Sequence, residues 1–150
     1  MIDSNILANK NVIVIIGLPG SGKTYLSNNT AKLDYVVHDD FISRFYDGNL
    51  MQNIIDKIKV CINDPRLCIP NIFYKYMELI IKSVNIENIL LVAYENNPSK
   101  CICNIENRIN KDRFTNSIYQ YSKIYSKSTY QKMIPQIDYI ELDIVTCPRI

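Results

Sequence analysis

Five β-branched residues stand in an unbroken run at 12–16, Val-Ile-Val-Ile-Ile. A strand with one wet face would alternate apolar and polar residues, so this run predicts a strand covered on both faces, as in a parallel sheet. Less pure apolar runs at 35–37, 58–62, 88–94 and 137–142 predict four more strands. Between them, apolar residues recur at helical spacing, most regularly at Ile72, Phe73, Tyr76, Leu79 and Ile80. Helices are predicted over 23–33, 70–83, 100–108 and 117–128, with shorter pieces at 41–45 and 50–56 on either side of Asp47-Gly48-Asn49. Pro70 suits a first helical turn, and Ser99 is read as the cap of the helix that follows it. Strands alternating with helices over 150 residues predict one α/β domain, a three-layer α/β/α sandwich around a mostly parallel five-stranded sheet. Its crossovers are expected to be right-handed.

The segment after the first strand changes the picture from architecture to chemistry. Gly17-Leu18-Pro19-Gly20-Ser21-Gly22-Lys23-Thr24 matches G-x-x-x-x-G-K-[ST] in full, at the strand–loop–helix junction that this motif requires. A polyphosphate must be wrapped closely by backbone N–H groups, and glycines keep the loop clear of obstructing Cβ atoms. The helix starting at Gly22-Lys23 adds the partial positive charge of its N-terminus. The loop residues Gly17, Pro19, Gly20, Ser21, Gly22, Lys23 and Thr24 are therefore expected to hold ATP, with Lys23 on the terminal phosphates and the Thr24 hydroxyl on Mg²⁺. This makes the sheet a P-loop NTPase fold.

Bulk properties exclude several classes. With 17 Lys and Arg against 15 Asp and Glu, the net charge of +2 lacks the basic excess of a nucleic-acid coat. No apolar run is long enough to cross a bilayer, and residues 1–11 lack the layout of a signal peptide, so a cytoplasmic protein without a membrane partner is expected. The five cysteines, Cys147 included, read as reduced thiols. Cys101 and Cys103 are the one close pair and His38 the one histidine, which builds no zinc set. Tyr119, Tyr121 and Tyr125 fall at helical spacing and read as a packed face rather than a base-stacking platform.

In such sheets ligands bind beyond the carboxyl ends of the strands. Three places there carry ionisable residues: Asp39 and Asp40, then Asp64 and Arg66, then the charged segment 107–113 with Arg108 and Arg113. Phosphoryl transfer requires such groups to converge on the phosphate loop. One carboxylate takes or orients the proton of an attacking hydroxyl, another, assigned to Asp64, holds Mg²⁺ or its water, and arginines neutralise charge on the transferring group. Asp40 also suits a cap before Phe41, and with Arg44 and Arg66 it is placed on the acceptor side.

Taken in order, Gly17 to Thr24, Asp39-Asp40-Phe41, Cys61-Ile62-Asn63-Asp64 and then Arg108 with Arg113 resemble the small P-loop kinases of the polynucleotide-kinase type, over roughly 12–125. The resemblance implies that Asp39 is the general base, that Asp64 belongs to the catalytic centre, and that Arg108 and Arg113 form a lid over the triphosphate. Ile42 stands where polynucleotide kinases carry a substrate-side arginine, with Arg44 two residues on. The expected activity is transfer of the γ-phosphoryl group of ATP to a hydroxyl acceptor. Three readings stay open: a nucleic-acid 5′ end as acceptor, a small molecule (nucleoside, metabolite or, as in zeta-toxin-like kinases, sugar nucleotide), or no acceptor, the protein being a nucleotide-binding switch.

Overall fold

The computed structural model describes residues 2–109 and 111–146. Its centre is a wholly parallel sheet of order β2-β3-β1-β4-β5. The strands are β1 (Val12–Ile16), β2 (Val36–Asp39), β3 (Val60–Asn63), β4 (Ile89–Tyr94) and β5 (Asp138–Leu142). Every residue of β1, β3 and β4 is buried, whereas β2 and β5 at the edges hold only exposed and half-buried positions. The helices are α1 (Ser4–Leu7), α2 (Lys23–Ala31), α3 (Asn49–Ile55), α4 (Pro70–Ile81), α5 (Pro98–Ile105), α6 (Lys111–Ser122) and α7 (Lys127–Met133), with 3₁₀ turns at Phe41–Asp47 and Pro65–Cys68. No described helix is long and apolar enough to cross a membrane. Cys147 lies outside the described residues, and so does Asn110 of the charged segment.

Register places the site. Ile15 sits opposite Asn63, and Asn63 opposite Asp39, in strands that all run the same way. Segments 16–24, 39–43 and 63–66 therefore leave the sheet along one edge. From β1 the chain crosses to β2, and after β3 it crosses back to β4 on the far side of β1. This reversal opens a crevice at the strand tips.

Two local expectations change. The cap of α5 is Asn97 rather than Ser99: its side chain accepts from the Lys100 N–H at 3.2 Å, and Pro98 occupies the first turn. The helix expected over 117–128 is two helices, because α6 begins at Lys111 and stops at Ser122. Asn96 donates to the carbonyls of Ser122 and Tyr125, at 2.8 and 3.0 Å, and so satisfies acceptors that a helix end leaves open. Of the tyrosines, Tyr125 is buried against Tyr130, whereas Tyr119 is exposed.

The turn after Asp39 and Asp40 is anchored by an aromatic cluster. Phe41 and Phe45 meet Tyr76 of α4 edge to face, with ring centroids 5.6 and 5.0 Å apart. Such pairs add to the area that they bury. Phe41→Ala is expected to lower stability by about 3–5 kcal/mol in chemical denaturation; a loss under about 1 kcal/mol would contradict this anchoring.

Candidate active site

The side chain of Lys23 folds back into the loop that precedes it, and the residue is 8% exposed. Its Nζ donates to the carbonyls of Gly17 and Leu18 at 2.7 and 2.8 Å, and it makes no ion pair with any described carboxylate. Burial lowers its pKa; the Cys68 and Cys101 thiols and the Asp64 carboxylate oppose the lowering, and the Arg108 guanidinium adds to it. The ammonium thus lies within electrostatic reach of both Asp64 and Arg108. The Ser21 hydroxyl is buried in the same loop without a hydrogen-bond partner. A buried cation beside an orphaned hydroxyl fits an anion in the loop. The Thr24 hydroxyl, one residue into α2, is exposed.

Tyr94, at the end of β4, lies beneath the loop and donates to the Gly22 carbonyl at 3.3 Å; burial pushes its phenol up to about 12. Asn104 of α5 donates to the Gly20 carbonyl at 2.9 Å and to Val145 at 3.0 Å. The loop is therefore braced from β4 and from α5.

The two strand-tip carboxylates are in different states. Asp39 is exposed. Its Oδ1 accepts from Nδ2 of buried Asn63 at 2.5 Å, while Oδ2 has no partner among the described residues. The same Asn63 amide reaches Ser27 Oγ at 2.6 Å and so ties Asp39 to the helix that carries Lys23. Asp64 is fully buried, and its carboxylate accepts four donors. Oδ1 takes the Arg66 N–H and Nε at 2.9 and 2.8 Å; Oδ2 takes Arg66 Nη2 and the Ile42 N–H at 2.7 and 3.2 Å. Four donors fill the lone-pair positions of a carboxylate. This differs from a carboxylate open to Mg²⁺, and among the described residues no cluster of three His, Cys, Asp or Glu is able to hold a metal.

Asp40 turns the chain through the left-handed region (φ +47°) and makes no cap bond, against the expectation that it caps the turn. It lies in electrostatic reach of Arg66. Arg44 is exposed on the 3₁₀ turn, without an ion pair to a described residue. Arg108 is exposed and stacks over Phe114, its Cζ 5.5 Å from the ring centroid. Arg113, in the first turn of α6, is exposed and without such a contact. Thus Lys23, Asp64, Arg66 and Arg108 form one electrostatic group, Asp39 is tied through Asn63 to Ser27 of the helix that carries Lys23, and Arg44 and Arg113 stand outside both. Asn63, Ser27 and Asn104 were not singled out above. A polar residue closing the apolar run of β3, and a serine four residues after Lys23 on the same helix face, are the signals that point to the first two.

No family model matches the chain. It is 43% identical over 126 residues to the uncharacterized protein R277 of Acanthamoeba polyphaga mimivirus, across 82% of this chain and 91% of that protein. The chain belongs to the family of that protein. Among solved structures it is similar to a gluconokinase from Sinorhizobium meliloti 1021, at TM-score 0.60 and 13% identity over 91% of this chain and 84% of the gluconokinase. A shikimate kinase from Bacteroides thetaiotaomicron follows, at TM-score 0.46 and 18% identity over 89% of this chain and 85% of the other. At such identity the gluconokinase likeness establishes the α/β fold of a small P-loop kinase, and only the fold.

Gly20 shows how tightly this fold closes around the loop. It has φ +84°, and a Cβ there would lie 2.6 Å from the Cys101 carbonyl oxygen and 2.8 Å from Ile105 Cγ2 of α5. Gly48 has the same φ with open space around it. Gly48→Ala should therefore carry only the conformational cost, about 1 kcal/mol. Gly20→Ala should cost roughly 1–3 kcal/mol more, because α5 must shift. Equal losses in denaturation would contradict the contact.

Proposed function

We propose that the protein transfers the γ-phosphoryl group of ATP to a hydroxyl of a small-molecule acceptor. The observation that carries this reading is the buried Lys23 ammonium. It is satisfied only by two loop carbonyls, at the sheet edge where Asp39 is held by Asn63. An anionic ligand gives that cation the partner it lacks, and Lys23 then turns from the carbonyls of Gly17 and Leu18 to the terminal phosphates. The backbone of Gly17, Pro19, Gly20, Ser21 and Gly22 cradles the chain of phosphates, and the Ser21 hydroxyl donates to them.

Bound with the nucleotide, Mg²⁺ would supply charge neutralisation. The Thr24 hydroxyl is the residue that would hold it. Asp64, with its lone pairs filled, holds Arg66 instead. Asp39 accepts the acceptor's proton on Oδ2, while Asn63 fixes Oδ1. Arg108 neutralises charge on the transferring group, and Arg113, in the first turn of α6, is assigned to the same task. Asp40, Arg44 and Arg66 face the acceptor.

Two observations support a small acceptor over a nucleic-acid 5′ end. The net charge of +2 lacks the basic excess that supports polyanion binding. Gluconokinase, the fold neighbour, is named for a small hydroxylated substrate.

The test is incubation with γ-labelled ATP and a panel of polyols, sugars, hydroxy acids, nucleosides and 5′-hydroxyl oligonucleotides. Label is expected in a small molecule; label in oligonucleotide overturns the acceptor class, and release of phosphate alone overturns transfer. Asp39→Asn should lower kcat about 10²–10⁴-fold and leave ATP binding intact; normal turnover in that variant would remove Asp39 as the base.

A further inference from the structure

The face of α2 that packs on the sheet is not wholly apolar. Beside Leu26 it buries Ser27 and Thr30, and β3 answers with Asn63, which is 4% exposed. Thr30 is satisfied within its own helix, donating from Oγ1 to the Ser27 carbonyl at 2.8 Å. The Ser27 hydroxyl instead serves β3. Its Oγ accepts from Asn63 Nδ2 at 2.6 Å, with Cys61 Sγ, two residues back on the same strand face, 4.0 Å away.

Packing alone gives no reason for this pair. A buried amide costs free energy unless it is hydrogen-bonded, and an apolar pair of matching shape would fill the same space without that demand. The reason lies at the surface. Nδ2 carries two hydrogens; Ser27 Oγ takes one, and Asp39 Oδ1, directly opposite in the β2–β3 register, takes the other. Turned over, the amide would set its own oxygen against the carboxylate, so only the orientation with Nδ2 toward Asp39 serves it. At the end of an edge strand, this is the one hydrogen bond that the Asp39 side chain makes among the described residues.

We propose that Ser27 and Asn63 are positioning residues for Asp39: α2 holds the amide, and the amide turns the carboxylate so that Oδ2 meets the acceptor hydroxyl. The inference rests on the phosphotransferase reading. It adds that a fully buried serine, out of contact with nucleotide and acceptor alike, governs the rate of transfer. Ser27 stands about one helical turn beyond Lys23. The helix that grips the terminal phosphate thus also fixes the base that works beside it.

The test removes the pair together, Ser27→Ala with Asn63→Leu, so that no buried donor is stranded. On the full chain with Mg·ATP and the acceptor found by labelling, kcat should fall about 10–10²-fold, with KM for ATP and for the acceptor unchanged. Stability in chemical denaturation should match or exceed that of the wild type, as for apolar partners of similar shape. The same two changes placed on Asp39→Asn should lower kcat no further, because the route ends at Asp39. Independently of any acceptor, Ser27→Ala should move the carboxyl carbon-13 resonance of Asp39, although no hydrogen bond joins the two side chains.

Wild-type kcat in the paired variant overturns the inference, and so does an equal loss with and without the Asp39 carboxylate. A fall in kcat that follows a fall in stability assigns the pair to folding and overturns it as well. With an unmoved Asp39 resonance the inference falls while the phosphotransferase reading stands. Transfer to no compound by the wild-type chain, with ATP still bound, overturns both.

Discussion

A lysine ammonium taken out of water and given only carbonyl dipoles is the constraint around which this protein is built. Burying a cation is costly unless it is paired. Lys23 has the carbonyls of Gly17 and Leu18 and the more distant field of Asp64, and burial has already lowered its pKa. That state is tolerable because the loop cannot relax: Tyr94 supports it from below and α5 closes over Gly20. The parallel sheet supplies the rigidity, since β1 is buried along its whole length and paired on both sides.

Around this charge the strand tips divide the work between two adjacent residues of one chain segment. Asn63 spends its amide on Ser27 and Asp39, and so couples the phosphate-loop helix to the exposed carboxylate on the neighbouring strand. Asp64, one residue on, faces the other way in function: its charge is consumed in fixing Arg66. Neighbours in sequence thus make opposite contacts, Asn63 to α2 and β2 and Asp64 to Arg66.

Much of this was legible in the residues, and the failures have physical causes. The run at 12–16 coincides with β1, because five buried β-branched residues admit few other structures. The alternation of strands and helices led to a mostly parallel five-stranded sheet, which the fold comparison supports, whereas the order of motifs pointed to the polynucleotide-kinase subfamily, which gained no support from it. Helix ends were read less well, since caps depend on side-chain geometry: Asn97 with Pro98 outcompetes Ser99, and Asn96 ends α6 from a distant strand end. Asp64 was read as a catalytic and metal-binding carboxylate because spacing cannot reveal that Arg66, two residues on, fills its lone pairs. Asn63, quoted only as part of the motif that ends in Asp64, was given no role because its value lies in partners 24 and 36 residues away.

The direct test of the buried cation as an anion site is thermal unfolding with and without nucleotide. Ligands that bind only the folded state raise Tm, and more so the tighter they bind. Mg·ATP should raise the Tm of the wild-type chain, AMP should raise it less, and Lys23→Met should lose the ATP-dependent rise while it folds normally. An ATP-dependent rise of the same size in Lys23→Met, or none in the wild type, would contradict the account.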